Sequence, residues 1–223
     1  MADAAGKGAD GERRLLFLFR HGETDWNREG RLQGRTDVPL NATGRIQAEA
    51  LAKKLVDEGI ECVLSSDLAR AAMTARVVAE VCGVPIFHEP GLRETRVGEA
   101  EGLLWEEAKA RFGSELTERW FTDDDAAFPG GESGRETRLR GLTALRGFAL
   151  AHPYLRIAVS THGAMIRQLM RHALPPGSPP APTRNTVLYV LDYEPAGDRL
   201  APAARLLDGA TSPSALGVNR TSC

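Results

Sequence analysis

Three things are scarce in this chain of 223 residues: an excess of either charge, paired cysteines, and apolar runs long enough for a membrane. The 28 basic and 30 acidic side chains leave a formal net charge of −2, which carries neither the footprint of a nucleic-acid binder nor a bias toward membrane surfaces. Cys62, Cys82 and Cys223 are odd in number and lack Cys-x-x-Cys spacing. That speaks against a disulfide or zinc framework and for a reducing compartment. Residues 1–14 are polar and read as a disordered leader without a signal sequence, and the apolar run that follows is too short to span a bilayer. A cytoplasmic protein is expected. The length suits one α/β domain.

What is present is concentrated at two places. Leu15-Leu16-Phe17-Leu18-Phe19 reads as a strand buried on both faces, and it stops abruptly at Arg20-His21-Gly22. Arg156-Ile157-Ala158-Val159-Ser160 repeats the pattern, ending at Thr161-His162-Gly163 before a helix. Ligands of open α/β sheets bind beyond the carboxyl ends of strands. Two strands of one sheet that both end in His-Gly bring two imidazoles over that crevice.

Between them the chain alternates strands and helices. Residues 25–40 read as a long polar loop of functional length. Thr43 is expected to cap a helix that buries Ile46, Ala50, Leu51 and Leu55. Cys62–Ser65 is a second buried strand, and Ser66 is expected to cap the next helix, closed by Gly83. Arg70 falls in the first turn of that helix, where the macrodipole disfavours a cation. It is either a tolerated surface residue or the holder of an anion at a helix N-terminus. Residues 85–88 form an edge strand. The stretch 103–128 is helical in pattern and carries Trp105, Phe112, Trp120, Phe121 and Phe128. With aromatics at 6% of the chain, this cluster marks a helical insertion (about 99–128) acting as a lid or specificity cap. Ser133 and Glu136 have capping-box spacing for a helix to Ala151, with Leu139, Leu142, Leu145 and Phe148 inward and His152 as a C-cap. Thr186–Tyr193 is a last central strand and Arg205–Leu207 a possible edge strand. The domain runs over 15–209, with a flexible tail at 210–223. The expected fold is a three-layer α/β/α sandwich with a mostly parallel sheet.

Two histidines at strand ends, Arg20 beside one of them, Arg70 opening a helix and Asn27 nearby supply donors for a tetrahedral dianion. A neutral imidazole among such cations is a phosphorus nucleophile. In-line positioning, charge stabilisation and one acid complete a phosphoryl transfer without metal or cofactor.

The residues also carry a resemblance. Arg20-His21-Gly22-Glu23-Thr24-x-Trp26-Asn27, Gly30-Arg31-x-Gln33-Gly34 and Asp37-x-Pro39-Leu40 are similar to the signature of the histidine phosphatase superfamily, which includes the cofactor-dependent phosphoglycerate mutases. Ser65-Ser66-Asp67-Leu68-x-Arg70-Ala71, Leu92-x-Glu94-x-x-x-Gly98-x-x-Glu101-Gly102 and Ser160-Thr161-His162-Gly163 follow in the family's order, covering nearly the whole folded chain. The resemblance implies a phosphoglycerate mutase-like fold, His21 as the phosphorylated nucleophile, and Arg20, Arg70 and His162 around the phosphoryl group. It implies further contacts from Asn27, Gln33, Gly34 and Gly163, with Glu94 as general acid and then base. The mutase branch typically follows its acidic residue with Arg-His-Tyr-Gly and carries a longer basic insertion. Here Thr95-Arg96-Val97-Gly98 follows Glu94, and acids including Asp123-Asp124-Asp125 outnumber the insertion's bases. A metal-independent phosphatase of a small phosphomonoester is therefore expected, with a mutase as alternative. A metal hydrolase and a non-catalytic phospho-ligand binding module are the readings from other classes. The expected partner is the small-molecule substrate, with no nucleic acid or membrane; a homodimer is compatible with the sequence.

Overall fold

A computed structural model describes residues 12–203. Six strands form one sheet in the order β3-β2-β4-β1-β5-β6. They are β1 (Arg14–Arg20), β2 (Cys62–Ser65), β3 (Ile86–His88), β4 (Arg156–Thr161), β5 (Leu188–Glu194) and β6 (Arg199–Pro202). β1, β2, β3 and β4 pair in parallel, whereas β5 and β6 extend the sheet antiparallel. The helices are α1 (Asp25–Glu29), α2 (Ala42–Leu55), α3 (Ala69–Cys82), α4 (Trp105–Phe112), α5 (Ser114–Thr122), α6 (Gly134–Ala151) and α7 (Gly163–Ala173).

One face of the sheet buries Phe17, Phe19 and Val63 against Leu51 and Leu55 of α2 and Ala75 and Val78 of α3. The other buries Leu16, Leu18, Leu64 and Val159 against Leu142, Leu145 and Phe148 of α6 and Ile166 and Leu169 of α7. Three layers result, as the apolar pattern predicts. A third cluster, outside both, joins Trp120 and Phe128 to Val97, Ala100 and Ala164, with Trp105, Phe112 and Phe121 packed on it. This is the cap formed by α4 and α5.

Several local expectations need correction. The first strand starts at Arg14, which is buried, so the polar leader ends at least one residue earlier. The 25–40 loop contains α1, because Thr24 and Asn27 form a reciprocal capping box and Gly30 closes the turn in the left-handed region. α2 is capped by Asn41, not Thr43, and its buried face is Gly44, Ala48, Leu51, Ala52 and Leu55; Ile46 and Ala50 face solvent. The cause is a close backbone crossing. A Cβ on Gly22 would lie 2.3 Å from the Gly44 carbonyl oxygen, so only small residues fit where α2 meets the end of β1. Leu139 is likewise exposed, because α6 meets α7 through Gly141, whose Cβ would lie 2.5 Å from the Met165 sulfur. Ser66 does not cap α3 as expected: the N-cap is Leu68, and Asp37 accepts the Ala69 N–H instead. The last central strand begins at Leu188, after Thr186 turns the chain with φ 52°. The expected strand at 205–207 and the tail at 210–223 lie outside the described residues. Among the described residues no helix is long and apolar enough to cross a membrane.

Candidate active site

Sheet register assembles the site. Arg20 of β1 is opposite Thr161 of β4, so both parallel strands end together and His21 and His162 follow side by side. The His21 N–H donates to the Thr161 carbonyl. The two ring centroids lie 5.2 Å apart at 60°. Gly22 and Gly163 then release the chain into the loop and into α7.

His21 is 1% exposed, and both its ring nitrogens are committed. Nδ1 lies 2.7 Å from the Gly22 carbonyl oxygen, which can only accept, so Nδ1 carries the proton. Nε2 receives the Arg70 Nε–H at 3.2 Å, so Nε2 is the unprotonated nitrogen. Burial first, then the charges of Arg20 and Arg70, hold the His21 pKa well below 6.5, against the opposing pull of the Gly22 carbonyl. His162 is held low in the same way, by burial and then Arg70, His21 and Arg20. Its Nε2 lies 2.8 Å from the Ser66 hydroxyl, and its buried Nδ1 has no hydrogen-bond partner among the described residues.

The helix-opening arginine is buried beside His21 rather than lying on the surface. Arg70 is fully buried, with Nη1 and Nη2 donating to the Thr36 and Gly34 carbonyls. These bonds fix the guanidinium while its Nε meets His21, and burial brings its pKa down to about 10. Arg20 donates Nη1 to the Thr183 carbonyl, and its buried Nε has no hydrogen-bond partner among the described residues. Glu94 occupies the start of α7. Its Oε1 accepts the Thr95, Ala164 and Met165 N–H groups at 2.9, 3.1 and 3.2 Å. Among the described residues Oε2 has only a shared bond to Ala164.

Arg20, His21, Arg70 and Glu94 line a cavity of about 180 Å³ with Asn27, Arg31, Leu32, Gln33, Trp120, Phe121, Gly163, Ala164, Arg167 and Thr183, whereas His162 is buried behind it and is not part of its lining. Asn27 and Gln33 reach it as expected, and both side-chain oxygens are already bonded within the protein, leaving their amide N–H groups for a ligand. Gly34 does not reach it; the residue acts through its carbonyl on Arg70.

Four participants do not announce themselves in the sequence. Asn185 donates to the His21 carbonyl and to Asn27, from the strained turn at Thr186. Arg140 fastens the segment before Glu94 by donating to the Gly91 and Arg93 carbonyls, and buried Glu132 holds Arg140 through both carboxylate oxygens. Arg167 reaches the cavity from α7. For Glu132 the one local signal is its place directly after Pro129-Gly130-Gly131, and that pattern by itself reads only as a turn. Among the described residues, no group of three His, Cys, Asp or Glu side chains could hold a metal ion.

A sandwich with a guanidinium-lined imidazole at paired strand ends defines a phosphoryl-transfer protein. The model of the histidine phosphatase superfamily (branch 1) matches residues 16–203, and the chain belongs to that family. A metal-independent phosphoserine phosphatase of Arabidopsis thaliana is 38% identical over 157 residues, covering 69% of this chain and 66% of that relative. Phosphoglycerate mutase-like protein 4 of the same plant is 40% identical over 164 residues, covering 72% and 71%. Among solved structures, mycobacterial glucosyl-3-phosphoglycerate phosphatase complexed with VO3 has a TM-score of 0.77 at 28% identity, covering 89% of this chain and 100% of that one.

Proposed function

We propose that the chain is a metal-independent phosphatase that hydrolyses a small phosphomonoester through a phosphohistidine on His21. The observation that carries this is the fixed tautomer: the Gly22 carbonyl holds the proton on Nδ1, and Arg70 marks Nε2 as the bare nitrogen. Nε2 attacks phosphorus as the ester P–O bond breaks, and Arg20, Arg70, Asn27 and His162 take up the charge on the phosphoryl oxygens. Glu94 protonates the leaving oxygen from Oε2. Water then attacks the phosphohistidine, gives its proton to Glu94, and displaces Nε2 as inorganic phosphate departs. Trp120 and Phe121 of the cap, with Leu32 of the 25–40 segment, form an apolar rim around the leaving group.

The phosphatase relatives support hydrolysis, and a mutase-like relative keeps phosphoglycerate mutation as the alternative. Among the described residues Cys62 and Cys82 form no disulfide, which fits a cytoplasmic setting. The test is phosphate release from a panel of phosphomonoesters in chelator, for wild type and His21→Ala. Release by wild type that His21→Ala abolishes is expected. Interconversion of phosphoglycerates on adding a bisphosphate, without net release, would instead assign a mutase; no turnover of any phosphomonoester would leave a binding module.

A further inference from the structure

The register that sets the two imidazoles side by side also delivers a hydroxyl. β2 runs parallel beside β4 with Ser65 opposite Ser160, and the Ser66 N–H donates to the Ser160 carbonyl at 3.0 Å. The chain therefore leaves β2 at Ser66 just where β4 gives way to His162. Ser66 is 0% exposed and lies outside the lining of the cavity over His21. Its hydroxyl meets the imidazole and not a substrate, so it is no second nucleophile.

The Ser66 oxygen accepts the Leu68 N–H at 3.3 Å and lies 2.8 Å from His162 Nε2. A hydroxyl has one proton to give. Among the described residues Nε2 is the one acceptor within its reach. Were Nε2 protonated, that hydroxyl proton would be buried with its bond unmade. Ser66 therefore donates to a bare Nε2. Burial first, then the charges of Arg70 and the neighbouring groups, keeps the ring neutral, so its single proton falls on Nδ1. This Nδ1 is buried and has no hydrogen-bond partner among the described residues. A buried donor of that kind calls for an acceptor. The ring stands 5.2 Å from that of His21. The two histidines thus carry their protons on the same atom to opposite effect. On His21 an acceptor, the Gly22 carbonyl, takes up Nδ1–H and leaves Nε2 bare. On His162 a donor, Ser66, takes up the Nε2 lone pair and leaves Nδ1–H to be given away.

We propose that Ser66 is a positioning residue that fixes His162 as the Nδ1–H tautomer, so that a neutral imidazole donates this N–H to an oxygen of the transferring phosphoryl group. The other tautomer would present a lone pair to that oxygen and repel it. The destination of the N–H rests on the phosphatase reading, whereas the tautomer itself does not depend on turnover. Nitrogen-15 NMR of histidine-labelled wild type reads it directly, with His162 identified by the signals that His162→Gln removes. At neutral pH Nδ1 should be protonated and Nε2 bare, and vanadate should shift the Nδ1 proton without moving it to Nε2. In Ser66→Ala the Nε2-protonated tautomer should become populated, and kcat should fall by about tenfold. Ser66→Cys, with a weaker donor, should lie between; should the alanine variant fail to fold, wild type and Ser66→Cys carry the test. Nε2 protonated in wild type, or a Nδ1 proton that vanadate leaves unmoved, would overturn the proposal. So would a loss of activity in Ser66→Ala with Nδ1 still fully protonated, since Ser66 would then serve the fold alone. The expected tautomer and vanadate shift in a wild type that hydrolyses no phosphomonoester would sustain the proposal while defeating the phosphatase reading.

Discussion

The two sides of the cavity are built on different principles. The phosphoryl side stands on strand ends and helix starts, with each reactive group locked by backbone atoms: His21 by Gly22, Arg70 by Gly34 and Thr36, Glu94 by the first amides of α7. The leaving-group side is made of side chains on side chains, with Arg167 lying on Trp120 and Phe121 and the cap tied down by Asp124 to Arg138 and Arg171. Chemistry common to all phosphomonoesters is fixed by the main chain. On the proposed reading, choice among them falls to the cap, whose residues lie outside the two cores that hold the sheet.

Substitutions on the two sides should therefore differ in kind. Arg70→Gln should lower kcat by about 10²–10³ on every phosphomonoester, because all share the phosphoryl oxygens; a loss confined to some substrates would place Arg70 outside the cage. Glu94→Gln should lower kcat by about 10²–10⁴ on alkyl esters and less on aryl phosphates, whose leaving group needs no proton. Equal losses on both would remove Glu94 from its acid role. On the other side, Phe121→Ala should reorder the substrate panel by about tenfold or less through the loss of one apolar contact. A uniform fall in kcat would mean that the cap shapes the chemistry too.

Stability separates the halves more weakly. His21 and His162 are held neutral well below 6.5, whereas in the unfolded chain they protonate near that value. As the pH falls below about 6.5 the unfolded chain takes up protons that the native state refuses, so stability must decline. Denaturant midpoints at pH 7.5, 6.0 and 5.0 should fall in that order; a flat series would mean that the buried imidazoles titrate normally. The smallest effect expected is from Glu132→Gln. It weakens the hold on Arg140 and Arg35, half-buried partners in part screened by solvent, and should cost about 1–2 kcal/mol in urea unfolding.

The same division explains what was legible in the sequence. Strand ends with His-Gly, Arg70 in a first turn and the Ser133–Glu136 capping box are local patterns, and each appears where the pattern places it. The layers followed from apolar runs. Helix faces failed where a close crossing dictated small residues, as at Gly44 and Gly141, leaving Ile46 and Leu139 outside. Within the insertion, the bases Arg111 and Arg119 pair with Glu99 and Asp123 and are not free for a substrate. Arg167 comes from α7, and only tertiary packing brings it against Trp120 and Phe121 of the cap. Asn185 and Arg140 are silent in the sequence for the same reason: each acts on a backbone segment far away in the chain.

The central claim is a covalent phosphoenzyme on His21, and trapping it is the most direct measurement. Wild type mixed with an aryl phosphate in chelator and quenched in alkali should yield an acid-labile, alkali-stable phosphoryl group that peptide mapping places on His21. Its yield should rise in Glu94→Gln, where the water step loses its base. Turnover with no trapped phosphohistidine in either protein, or label that persists in His21→Ala, would contradict the account.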